Sequence, residues 1–153
     1  MKENELIVKL FEDLFEGSPW IDVTIMGTLK GINSKNAFKK LSANQNSIWE
    51  IVNHLINWRL NVLQRVQGKV ITTPHNNYFE SITDSSTSAW ERTLKELQNS
   101  QTQWVKFLKD LKQVTFSKVY LNNKMTYYEH IHGIIQHDAY HLGQITLLAK
   151  YCQ

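Results

Sequence analysis

Thr126-Tyr127-Tyr128-Glu129-His130-Ile131-His132-Gly133-Ile134-Ile135-Gln136-His137-Asp138-Ala139-Tyr140-His141-Leu142-Gly143-Gln144-Ile145 opens on a hydroxyl residue followed three positions later by a glutamate. That pair is a capping box: the threonine hydroxyl takes an orphan amide of the first turn and the carboxylate reaches back. Behind it Ile131, Ile134, Ile135, Leu142 and Ile145 share one helical face, which Leu148 and Ala149 carry nearly to the end of the chain. The same reading repeats upstream. Ser47-Ile48-Trp49-Glu50 is a second capping box, and Ile48, Ile51, Val52, Leu55, Val62 and Val66 run behind it to Gly68, predicting a helix over 47–67. Glu3 to Glu16 sets Leu6, Ile7, Leu10, Phe11, Leu14 and Phe15 in pairs four apart, and Gly17-Ser18-Pro19 stops it. A further helix is expected over 85–111, with Trp90, Leu94, Leu97, Trp104, Leu108 and Leu111 on one side. Four long amphipathic helices predict an all-α fold, a four-helix bundle.

The segments between them are less regular. From Trp20 to Gln45, Gly27 and Gly31 interrupt the pattern, while Ala37, Phe38 and Leu41 allow a short helix. This predicts a long crossover with helical pieces between helices one and two. Residues 69–84, with Pro74, His75, Asn76 and Asn77, read as a loop. In the connection 112–124 the run Val114 to Leu121 is strand-like but has no evident partner.

At 153 residues the chain is expected to form one domain, 1–153. Its 42% apolar and 20% charged residues exclude a disordered chain. A single cysteine, Cys152, excludes an intrachain disulfide and a cysteine-rich zinc module. The net charge of +3 carries no dense basic patch beyond Lys35, Lys39 and Lys40, and only three arginines stand against fourteen lysines, so no nucleic-acid partner is expected. The start Met-Lys-Glu-Asn-Glu lacks the features of a secretory signal, and no apolar run is long enough for a bilayer. A cytoplasmic protein without a membrane partner is the expectation.

His137 and His141 carry the chemical signal. Four residues apart on a helix, they share a face with ~6 Å of rise between them and can lean onto one metal ion. Two partly buried, hydrogen-bonded histidines satisfy the same spacing. The resemblance to His-Glu-x-x-His of zinc peptidases fails, because Asp138 is one methylene short and twelve residues after His141 cannot supply a downstream ligand. A third ligand must come from upstream. His54, mid-helix and one turn before Trp58, is the best placed. His130 shares the face of His137 but stands ~10.5 Å of rise away, and could line the same groove. His132 falls on the opposite face and reads as solvated; His75 sits in a loop and reads first as unengaged, with a lid residue or a ligand as the alternatives. Asp138, Tyr140, Gln136 and Gln144 lie near enough to orient imidazole N–H groups, or equally to sit on the helix surface. The five tryptophans Trp20, Trp49, Trp58, Trp90 and Trp104 read as core, with Trp58 also placed to wall a substrate. Nothing in the sequence is placed to activate Cys152.

Asn46 to Leu55 followed by Trp58, and Ile134 to Ile145, resemble the helix-two and last-helix motifs of the DinB/YfiT-like superfamily. The resemblance implies a four-helix bundle, often dimeric, in which His54, His137 and His141 bind one divalent metal ion such as zinc or nickel. It implies a homodimer here. Characterised relatives include transferases that use low-molecular-weight thiols (bacillithiol and mycothiol) and a thiol-dependent isomerase. Three histidines leave coordination positions open, so a metal-dependent enzyme is expected, a thiol transferase or a hydrolase acting through water. Either would take a small-molecule substrate. The alternative is a non-enzymatic metal-binding stress-response protein; a third is an interaction module with structural histidines.

Overall fold

The computed structural model describes residues 2–152. It is all-α. Four long helices, α1 (Glu3–Glu16), α4 (Ile48–Val66), α5 (Thr87–Lys109) and α6 (Tyr127–Tyr151), are accompanied by two five-residue helices, α2 (Ile25–Leu29) and α3 (Ser34–Phe38), and by a single 3-10 turn, Gln113–Thr115. Both expected capping boxes form. The Ser47 amide donates to Glu50 Oε2 at 2.8 Å and the Glu50 amide to Ser47 Oγ at 3.2 Å; Thr126 and Glu129 repeat the exchange at 2.6 and 3.2 Å. Each satisfies two amides that the helix start would otherwise leave unpaired.

The crossover from Trp20 to Gln45 does hold short helical pieces. Thr24 and Asn33 cap α2 and α3 with their side chains, at 3.0 and 2.8 Å, so short polar residues start the pieces that the glycines separate. The strand-like run finds a partner after all. Val119 pairs with Thr126 in one antiparallel bridge, closed by Tyr120 N–H to Met125 O at 2.8 Å and Tyr127 N–H to Lys118 O at 2.7 Å. The bridge delivers the chain into the cap of α6. Among the described residues it is the only extended pairing and no strand forms.

α4 packs along α6 and α5, and α1 along α5 and α6. Their buried faces form two apolar clusters. One gathers Phe15, Ile25, Leu29, Trp49, Leu55, Trp90, Leu97, Leu142 and Ile145; the other gathers Ile7, Phe11, Val62, Val66, Trp104, Leu108 and Ile131. Between them lies a polar layer. Arg59 Nη1 donates to Asp138 Oδ2 at 2.8 Å, its Nη2 donates to Gln101 Oε1, and Gln101 Nε2 donates to the Phe11 carbonyl at 3.1 Å. The layer thus ties α4, α6, α5 and α1 together at one level.

Two expectations about burial need correction. Trp20 is not core: it is 96% exposed at the turn after α1, whereas Trp49, Trp90 and Trp104 are buried. α1 buries Ile7, Val8, Phe11, Leu14 and Phe15, leaving Leu6 and Leu10 half exposed, because the face that meets α5 is rotated by about one residue from the paired pattern. Cys152 is buried, its Sγ 3.9 Å from the Lys39 carbonyl. Among the described residues no helix is long and apolar enough to cross a membrane.

Candidate metal centre

His54 sits on the side of α4 that faces α6, and the two histidines of α6 face it in return. One nitrogen from each of His54, His137 and His141 lies within 4.8 Å of the others. His54 Nε2 and His137 Nε2 approach to 3.0 Å. His54 and His141 are buried and His137 is half-buried. Two nitrogens bound to one ion at ~2.0–2.1 Å stand roughly 3.0–3.4 Å apart, so this pair already has ligand spacing.

The outer partners of the rings fix where their lone pairs point. The Asn77 carbonyl can only accept, so His54 Nδ1, 2.7 Å away, carries the proton and its Nε2 is a bare acceptor. Gln144 Nε2 donates to the Tyr140 hydroxyl at 3.1 Å, which turns Gln144 Oε1 toward His141 Nδ1 at 2.6 Å. His141 Nδ1 therefore donates, and its Nε2 is also bare. His137 Nδ1 is buried with no partner. If His137 carries its proton there, three lone pairs converge, an arrangement that repels unless a cation or a proton stands between them. Burial pushes His54 down to about 4, with the neighbouring His141 adding and the Asn77 carbonyl opposing. Burial, then His141 and His54, push His137 down to about 3. His141 is lowered too, mainly by burial, with Gln144 opposing. At neutral pH all three rings are uncharged bases, the state a metal needs.

Residues 69–84 run back along α4 as a strap. Asn77 and Tyr78 are consecutive non-glycine residues with positive φ, 53° and 62°; asparagine adopts this region readily, whereas for the tyrosine it is costly. The bend they make turns the Asn77 carbonyl onto His54 and lays the Phe79 ring flat on the same imidazole, centroids 3.9 Å apart and planes 9° apart. Trp58 Nε1 donates to Asn77 Oδ1 at 3.0 Å, and its ring stands 5.9 Å from that of His137. Trp58 is thus half-buried beside the cluster. Two surface grooves, of about 440 Å³ beside Glu12 and Lys109 and about 530 Å³ beside Phe107 and Lys112, lie away from the histidines.

The other candidates part from the cluster. His130 is buried, but against the Tyr120 ring, with Asn123 Oδ1 3.3 Å from its Nε2. His132 is not solvated: it is half-buried against Tyr128, ring centroids 4.2 Å apart, with Nε2 closed off from water. His75 is exposed on the strap, as expected. Gln144 and Tyr140 orient His141, whereas Gln136 is exposed. Asp138 does neither of the things expected of it. It orients no imidazole and lies nowhere near the surface; it holds Arg59 in the polar layer, where burial lifts it to about 6 against the opposing guanidinium.

Sequence reasoning missed Asn77 and Phe79, for which loop residues give no periodic signal. It also missed the Arg59–Asp138 pair, for which a signal existed. Arg59 falls four residues after Leu55 and three before Val62, and Asp138 falls midway between Ile134 and Leu142. Opposite charges in the middle of two apolar stripes point to a buried pair between the two helices.

Inward nitrogens from two packed helices, those of His54 and His141 backed by an outer acceptor, make this a helical protein with a three-histidine site able to hold a metal ion. The chain matches the family model of the DinB superfamily over residues 25–145 and belongs to that superfamily. No curated protein and no solved structure matches it.

Proposed function

We propose that the chain is a metal-dependent enzyme, with His54, His137 and His141 holding one divalent ion, zinc or nickel, in a single-domain four-helix bundle whose long crossover carries α2 and α3. The observation that carries this reading is the direction of the outer hydrogen bonds: Asn77 and Gln144 accept the Nδ1 protons of His54 and His141, so the inward nitrogens are left as bases facing one point. Neutral imidazoles backed by carbonyl oxygens are also better donors than free ones.

When bound, an ion on three neutral histidines supplies Lewis acidity, which lowers the pKa of water or a thiol in an open position. The chain's own groups do the rest. Asn77 and Gln144 hold two rings in the ligating tautomer. Phe79 and Trp58 keep water from the faces of His54 and His137. No carboxylate among the described residues joins the cluster, so a bound ion would keep its positive charge for an anionic ligand such as a thiolate. That favours transfer of a low-molecular-weight thiol to an electrophile over hydrolysis. In solution we expect a cytoplasmic homodimer acting on a small molecule, with no nucleic-acid or membrane partner.

The test is elemental analysis of the purified protein, followed by conjugation of a chromogenic electrophile with several thiols, and ester hydrolysis, with and without chelator. Metal at one equivalent and chelator-sensitive turnover are expected. Bound metal without turnover on any pair returns the non-enzymatic metal-binding protein; turnover that survives complete metal removal overturns the mechanism.

A further inference from the structure

Two arginines are buried in this protein, and only one has a counter-charge. Arg59 is matched by Asp138. Arg65 is 9% exposed, yet no carboxylate among the described residues lies within ion-pair distance of it. Its Nη2 donates to Thr73 Oγ1 at 3.1 Å, and its Nε is shut from solvent with no acceptor. The guanidinium carbon lies 5.4 Å from the Trp58 ring centroid and 5.2 Å from that of Tyr120. Two aromatic faces hold the group in place and offset part of its desolvation, but a buried cation without an anion remains costly.

The position of this charge gives it a purpose. Arg65 follows His54 and Trp58 along α4, and Trp58 touches both ends: its ring is 5.9 Å from the His137 ring and 5.4 Å from the guanidinium carbon, which puts that carbon within about 11 Å of the His137 ring. The strap that covers His54 with Asn77 covers Arg65 with Thr73. The histidine cluster and Arg65 thus lie about 11 Å apart at most, under one strap.

We propose that Arg65 is the anion-binding end of the ligand site: a small thiol-bearing carboxylic acid places its sulfur at the three histidines and its carboxylate on the Arg65 Nε and Nη2, displacing the Thr73 hydroxyl. The proposal rests on the small-molecule reading above and narrows it to ligands with an acid group. A carboxylate suits the planar fork of a guanidinium, accepts the orphaned Nε proton, and supplies the missing charge. Thr73 is a neutral acceptor on a loop, the cheapest of the contacts to exchange.

The experiment measures calorimetric binding of 3-mercaptopropionate and 6-mercaptohexanoate to the metal-loaded protein, against 3-mercaptopropanol and 6-mercaptohexanol. At least one acid should bind about tenfold or more tighter than its alcohol, the worth of one charge-assisted hydrogen bond. Arg65→Met should abolish that preference while leaving alcohol binding and metal content unchanged. Should Arg65→Met not fold, Arg65→Lys keeps the charge, loses the fork, and should retain a reduced preference. In parallel, hexanoate is titrated into the metal-free protein while the Arg65 Nε–H resonance is followed by NMR, and a saturable shift is expected. If no thiol binds but the hexanoate shift is present, the thiol reading falls and the anion site stands. If acids and alcohols bind equally, or the preference survives in Arg65→Met, the anion site falls and the metal reading is untouched. Absence of both the thiol binding and the hexanoate shift overturns the proposal.

Discussion

Replacing Asp138 with alanine should cost more stability than any substitution at the metal centre itself. The Arg59 and Asp138 side chains are 1% and 3% exposed and meet at 2.8 Å. In Asp138→Ala the guanidinium keeps only the Gln101 amide oxygen as a neutral partner. Removing one member of such a pair costs about 3–5 kcal/mol, because the other is left as an uncompensated buried charge. For a chain of this size about 1 kcal/mol moves the melting point by roughly 2–4 °C, so a fall of roughly 6–20 °C is expected. Urea unfolding followed by circular dichroism gives the free energy directly. The paired replacement Arg59→Met with Asp138→Leu removes both charges and should recover most of the loss, since apolar substitutes for a buried ion pair are often neutral or better. A single variant within about 1 kcal/mol of the parent would show that water or another group already compensates Arg59. A double variant as unstable as the single would show that packing volume, and not charge, sets the cost.

Each of His54→Ala, His137→Ala and His141→Ala should lose most of the bound ion by elemental analysis, since two protein bonds remain; full occupancy in all three would remove the site. Gln144→Leu frees the His141 Nδ1 proton from its acceptor and should weaken metal affinity by about 10–100-fold, measured by competition with a chromophoric chelator. Acid should destabilise the metal-free protein. His54, His137, His141 and His130 are all held below their ordinary value of 6.5 in the folded state, so below pH 6.5 the unfolded chain takes up protons that the folded one refuses. Their contribution is whole above 6.5 and lost as pH falls toward about 3; Asp138, raised to about 6, works in the opposite sense but is one group against four. Melting points that stay level between pH 7.5 and 5 would contradict this. Phe79→Ala should expose the face of His54 and raise its pKa by histidine NMR, the strap otherwise remaining in place through Asn77.

Much of this architecture could be read from the sequence because its signals are local. Capping boxes, apolar stripes and the i, i+4 histidines are all contained within one helix, and each formed within two residues of its expected bounds. His54 was within reach because a partner for the α6 pair was to be sought on a facing helix, and one nitrogen of each ring does lie within 4.8 Å of the others. What escaped depends on how one segment lies on another. The strap has no period, so neither the left-handed pair Asn77-Tyr78 nor the landing of Phe79 on His54 had a signature. Asp138 was misread because its neighbours are histidines in sequence, while its partner Arg59 is 79 residues away in the chain. The half-exposed Leu6 and Leu10 show the remaining ambiguity, since a paired pattern marks an apolar face without fixing which edge turns inward.

The histidines that meet in space are far apart in time of synthesis. His54 and His137 are separated by 83 residues, so a growing chain displays the first long before the other two exist. Nothing local can assemble the cluster; only the docking of α6 against α4 does, and that waits until α6 has been made. Any ligand that the three rings take up together thus binds the folded state and not its precursors, and by mass action it stabilises that state by about 2.7 kcal/mol at a hundredfold excess over its dissociation constant. Loading of the site therefore reports that folding has finished, and a supply of the ligand biases the population toward chains that have.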